Sequence, residues 1–289
     1  MANTKTAPAK AAAGNTKGPQ TAGKGKQEVA TKKDQLPAVA IDMAADAGMG
    51  NENIDRDSLA TPFLAIAQKM SPQVDKDDDR YVKGLEIGDL FLTSNNTIFK
   101  DEEGVQIVFC GFQRKFLRWA PRDQGGGFKG EVAVDAVAAA RATGEFTEVE
   151  GKLFADNGDL IRDTRVHYVM VLLPDGSYTP AVLSMASTQI KKSKQLLTQL
   201  TTYKRTENGR TFTPPQFGHI FRAETIAEQN DQGSWRGWKF TREADVTDTD
   251  LYLQCRLFSQ QVVDNKVRVD HTQEAGAAGS STDENGEGF

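Results

Sequence analysis

Apolar and polar residues alternate along Val105–Trp119 (VQIVFCGFQRKFLRW), the longest strand-like run in the chain. Val105, Ile107 and Phe109 fall on one side of it. Gly111 then interrupts the period, which predicts a bulge. A break of this kind lets a strand coil, as small barrels require. Thr164–Leu173 and Tyr178–Met185 read as a second pair of strands around the turn Pro174-Asp175-Gly176. Gly88–Ser94 predicts a short strand, and Phe146–Asp163 a hairpin turning at Asn157-Gly158. Phe217–Ile226 and Gly233–Phe240 predict one more hairpin.

The period changes to that of a helix in three places. Glu131–Thr143 is rich in Ala and Val. Ser187–Tyr203 carries an apolar stripe of Ile190, Leu196, Leu197 and Leu200, with Ser187 or Thr188 as cap. Asp248–Val263 places Leu251, Cys255, Phe258 and Val262 on one face. A further short helix is expected over Thr61–Met70, with Thr61 as cap and Pro62 in the first turn. Strands, a late helix and strands again predict a mainly β fold with helices. An OB-like Greek-key β-barrel with insertions is the frame that fits.

Residues 1–57 and 270–289 are too poor in apolar groups to offset the entropy of ordering, and disordered tails are expected there. A helical stretch within the first is expected around Ala38–Ala47. The ordered domain is then 58–269. Net charge is −5, but its distribution matters more. Residues 1–33 carry +6, 34–59 carry −5 and 270–289 carry −5, so the central domain is close to neutral. It has room for a basic patch on one face.

Several function classes are absent from the pattern. The chain has no apolar run long enough to span a bilayer and no secretory h-region. Cys110 and Cys255 sit in apolar contexts and read as buried thiols. His167, His219 and His271 are far apart, and no Cys/His cluster has metal-ligand spacing. There is no nucleophile elbow and no phosphate loop. No enzyme, metal or cofactor is expected, and a cytoplasmic protein is.

What stands out is the interleaving of rings and cations. Residues 112–129 hold Phe112, Arg114, Lys115, Phe116, Arg118, Trp119, Arg122, Phe128 and Lys129 against one acid, Asp123. A second cluster includes Trp235, Trp238 and Lys239, and the Ser187–Tyr203 helix adds Lys191 and Lys192. Rings stack on unpaired bases and cations hold phosphates, which is the chemistry of single-strand binding. These residues are the candidate DNA-binding set.

The last ten residues, Ser280–Phe289, are Gly- and Ser-rich, carry Asp283, Glu284 and Glu287, and stop at the lone aromatic Phe289. This ending resembles the acidic tails of bacterial and bacteriophage single-stranded DNA-binding proteins. The resemblance implies that the four residues recruit replication proteins and compete with DNA for the groove. The acids are more dilute here than in that family, and Gly288 precedes the Phe. The stretches Pro62–Pro72, Lys115–Gly130 and Leu183–Leu200 are also similar to replication-module proteins of tailed phages. The expected function is protection of single-stranded DNA and recruitment of partners in phage replication or recombination, in the host cytoplasm, with self-association left open. The alternatives are a virion structural or scaffolding protein and, below it, a nuclease.

Overall fold

The computed structural model describes residues 42–54, 59–121, 126–231 and 233–277. The chain divides into 1–52 and 53–289. In the first unit, Asp42–Gly50 forms turns, with the Asp42 carboxylate accepting from the backbone of Ala44 and Ala45. The described part of the helix expected there is therefore turn, not helix. Residues 1–41 and 55–58 of the expected N-terminal tail lie outside the described residues.

The second unit is built on one antiparallel sheet of eight strands. Its two long members are β4 (Val105–Trp119) and β8 (Leu160–Leu172). They pair from Ile107↔Val171 to Trp119↔Leu160, with a register shift between Phe109 and Gly111. The predicted break is there, just before Gly111, which itself pairs with Tyr168, and close packing against Val262 requires the glycine. A Cβ on Gly111 would lie 2.9 Å from Val262 Cγ1.

Around this pair run β5 (Phe128–Val132), β6 (Phe146–Val149), β7 (Lys152–Ala155), β9 (Tyr178–Ala186), β12 (His219–Asn230) and β13 (Gly233–Asp245). The order is β13-β12-β4-β8-β7-β6, with β5 on β4 and β9 on β8. A small sheet of β1 (Leu64–Ile66), β2 (Leu90–Leu92) and β3 (Ile98–Phe99) joins β9 through a parallel bridge, Phe63↔Val182. β10 (Arg205–Glu207) and β11 (Arg210–Phe212) form a separate ribbon.

The strands do not close into the expected OB-like barrel, because the two ends of the sheet do not pair. The free edge of β13 is met by side chains instead. Gln68 Oε1 accepts from Arg236 N at 2.9 Å and Gln68 Nε2 donates to Arg236 O at 2.7 Å. Two residues on, Gln189 Oε1 accepts from Trp238 N at 3.0 Å. The two amides stand in for part of a neighbouring strand, so these three edge groups are satisfied without closure.

Both faces of the sheet centre are covered, which is why β4 and β8 are apolar at consecutive positions. On one face, Ile107, Phe109, Val169, Val171, Phe221 and Trp238 pack with Leu196 and Leu200 of α2 (Ile190–Thr202). On the other, Val108, Cys110, Tyr168 and Met170 pack with Leu251, Cys255, Phe258 and Val262 of α3 (Thr249–Val263). The predicted α3 face is thus the buried one, and Asp248 caps the helix by accepting from Leu251 N at 2.8 Å. Both cysteines are buried and free. A third, smaller core lies under α1 (Val134–Thr143), where Phe116, Val137, Ala140, Phe146, Leu153 and Ile161 meet.

Three further expectations are corrected. Thr61–Met70 is not a helix: Leu64–Ile66 pairs with β2, and Pro62 O accepts from Val182 N, so strand pairing outweighs the local start signal. Neither Ser187 nor Thr188 caps α2, because a 3-10 turn over Ser187–Gln189 precedes it and Gln189 occupies the cap position without a side-chain bond. The described fold also runs past residue 269. Residues 272–277 form α4 (Thr272–Ala277), and His271 and Glu274 are buried.

Candidate nucleic-acid interface

The two ring-and-cation segments do not form one exposed wall. Within the first, β4 sends alternate residues to opposite faces, and both faces are covered. Arg114 lies over the Phe116 ring at 4.8 Å, so the two share a face, but Phe116 is buried under α1. On the opposite face Trp119 is also buried, against Phe128 at 5.5 Å between centroids. In the second segment Trp238 is 4% exposed and stacks on Phe240. Phe112, Phe128 and Trp235 remain half-buried. Aromatic residues at strand spacing have gone to the core, because ring burial outweighs any benefit of exposure in the free protein.

The cations are also largely engaged. Arg114 forms a two-pronged pair with Asp163, at 3.1 and 2.7 Å. Lys115 Nζ is 2.6 Å from Glu131, and Arg118 Nε is 2.5 Å from Asp159. Lys192 pairs with Glu228 at 2.7 Å and Lys239 with Glu224 at 2.9 Å. Lys129 and Lys191 are exposed. Lys129 and Arg118 line a polar hollow with Asn157 and Asp159. Arg122, Asp283, Glu284, Glu287 and Phe289 lie outside the described residues.

Parts of the two segments do meet, at a cleft of about 290 Å³. Phe116 comes to it from β4, and Trp235, Arg236 and Trp238 from β13. Its lining adds Arg141, Lys152 and Arg162, so four basic groups face two acidic ones, Asp163 and Glu274. Gln68 and Gln189, the two amides that cap the β13 edge, also line it. The open sheet therefore creates the cleft: a closed barrel would have filled this gap with a strand.

Trp235 is held at the cleft by a specific contact. Its Nε1 donates to Glu228 Oε2 at 3.0 Å. Gln189 Nε2 and Lys192 Nζ converge on the same carboxylate at 3.1 and 2.7 Å. Burial works against the Glu228 charge, but these three donors outweigh it and hold its pKa below the usual value. Glu228 lies directly on the backbone of Gly237: a Cβ there would stand 2.0 Å from Oε2. Only glycine lets the carboxylate sit so close.

The far wall rests on α4. Glu274 is buried and accepts from Arg162, from Ser184 Oγ at 2.8 Å and from His271 Nδ1 at 2.9 Å. The His271 imidazole also faces Glu131, 3.5 Å from Nε2. Burial pushes the His271 pKa down, but the two carboxylates outweigh it and the net shift is upward. His271 in turn is the main cause of the depressed Glu131 pKa, about 2, with Lys115 adding to it. Arg162, His271, Glu274, Gln68 and Gln189 were not marked out by the sequence. Their roles depend on contacts between segments far apart in the chain, and no local pattern carries that signal.

Among the described residues no group of three or more His, Cys, Asp or Glu side chains is placed to hold a metal ion. No helix among them is long and apolar enough to cross a membrane.

Comparison with known proteins places the chain in a phage context. No curated protein and no solved structure matches it. A family model described as Pam3 phage gp34-like protein matches residues 30–268, which is 239 of the 289 residues. The chain therefore belongs to the Pam3 phage gp34-like protein family, a family of bacteriophage proteins.

Proposed function

We propose that this phage protein binds single-stranded DNA, and that the cleft between β13 and the β7–β8 region takes an unpaired base. The observation that carries the reading is one cleft that brings Phe116 of the first segment to Trp235, Arg236 and Trp238 of the second, with Trp235 half-exposed at its wall and Arg162 and Lys152 beside it. A volume of about 290 Å³ falls just below the roughly 300–1,000 Å³ of small-molecule sites. That suits one base rather than a continuous track. Duplex DNA keeps its bases stacked inside and offers nothing to such a cleft, so selectivity for single strands follows from shape. The role is binding rather than catalysis. The residues after Ala277 would be left to recruit replication partners, as the resemblance of the chain's end implies.

The test is a tryptophan-fluorescence titration with oligothymidylate and with a duplex of equal length. Quenching by the single strand, reduced in Trp235→Ala, supports the reading. Equal responses to the two nucleic acids, or no response at low salt, reject it.

A further inference from the structure

The cleft wall carries a guanidinium with donors to spare. Arg162 stacks on the Trp119 ring, 4.5 Å from the centroid, and gives one nitrogen, Nη2, to Glu274. Among the described residues Glu274 is its one hydrogen-bonded acceptor, and its Nε is buried with no partner. About a quarter of the side chain (26%) stays exposed, and it lines the cleft.

Its place in a chain of charges sets this cation apart from its neighbours. Lys115, Glu131, His271, Glu274 and Arg162 form a chain of alternating sign. Glu131 lies between Lys115 and His271, and Glu274 between His271 and Arg162. Arg162 is the end of this chain that reaches the cleft. Lys192 and Lys239, by contrast, pair with Glu228 and Glu224 away from this chain, and Arg114 shares Asp163 with Arg165. The stack on Trp119 and the bond to Glu274 also fix the guanidinium plane, so little entropy is lost when an anion docks on its remaining edge.

We infer that Arg162 is the anion-holding residue of the cleft, positioned by Glu274 and Trp119 to take a phosphate group. This rests on the proposed function for the identity of the phosphate, a DNA backbone group beside the captured base. The site itself does not depend on it.

Two measurements test it. In protein labelled with ¹⁵N-arginine, inorganic phosphate should shift the Arg162 Nε–H resonance saturably, the resonance being identified by its loss in Arg162→Lys. A resonance that stays still overturns the inference. The second is the salt dependence of oligothymidylate binding. Arg162→Gln should lower the slope of log K against log[salt] by about 0.7, the value for one phosphate on a single strand, and Arg162→Lys should retain it. Arg162→Gln leaves Glu274 buried with one cation fewer, so the slope is also read in Arg162→Gln/Glu274→Gln. An unchanged slope in both variants overturns the assignment. If phosphate shifts the resonance but oligothymidylate does not bind, the anion site stands and the DNA reading falls.

Discussion

The side-chain amide of Gln68 bonds both backbone groups of Arg236, a residue 168 positions away, at 2.9 and 2.7 Å. This contact satisfies the sheet edge where a barrel would have closed, and it forms part of the cleft. Gln68→Ala should leave a part-buried N–H and C=O without their protein partner, at about 1 kcal/mol. The exposed edge should also pair with other chains. Urea unfolding and sedimentation check the two effects: a lower midpoint and a concentration-dependent size are expected.

The two tryptophans of β13 should behave differently. Trp235 is half-buried at the cleft, so Trp235→Ala should keep the fold and lower affinity for oligothymidylate by about 1–3 kcal/mol, the value of one stacked base. Trp238 is buried on Phe240, so Trp238→Ala should cost about 3–5 kcal/mol of stability. Thermal melts alongside binding isotherms separate the outcomes.

Gly111 and Gly237 are both set by close approach. A methyl group at 111 meets Val262 of α3, and one at 237 meets the Glu228 carboxylate. Gly111→Ala should therefore destabilise by about 1–3 kcal/mol through overpacking. Gly237→Ala should instead push Glu228 off Trp235 and change the tryptophan emission. Denaturation and fluorescence spectra of the two variants distinguish these results.

His167 is fully buried, with Nε2 2.8 Å from Ser193 Oγ and no partner for Nδ1. Burial, with Arg165 adding to it, pushes its pKa down to about 3. Between about 3 and the ordinary value of 6.5 the unfolded chain binds a proton that the folded chain does not, so this group makes stability fall as pH falls. The pKa of His271 is raised and acts in the opposite sense: its contribution is present below 6.5 and is lost as pH rises through the folded value. The stability difference between wild type and His167→Asn should shrink below pH 6.5, by about 1.4 kcal/mol per unit well below it. The difference for His271→Gln should instead shrink on the alkaline side. Urea midpoints between pH 5 and 9 check both.

Much of the framework was legible in the sequence because it is written in local periods. Val105–Trp119 is a strand to the residue, and Leu251, Cys255, Phe258 and Val262 form the buried face of α3. The Gly111 break and the Pro174-Asp175-Gly176 turn also stand where the residues placed them. What was not legible depends on partners distant in the chain. Leu64–Ile66 carries a helix start signal but pairs with Leu90–Leu92. His271 and Glu274 sit in a polar stretch that reads as a tail, yet Arg162, Ser184 and Glu131 bury them. The candidate site was half legible. Ring-and-cation segments were visible, but the strand period alone could not say that Phe116, Trp119 and Trp238 turn inward while Trp235 stays at the cleft.

Photocrosslinking of oligonucleotides containing 5-bromodeoxyuridine, with the attached peptides read by mass spectrometry, reports most directly where DNA lies. The expected product joins the base to the β13 peptide at Trp235, and excess unlabelled single strand suppresses it while duplex does not. Adducts confined to residues remote from the cleft, or none at saturating oligonucleotide, would contradict the assignment of this cleft to single-stranded DNA.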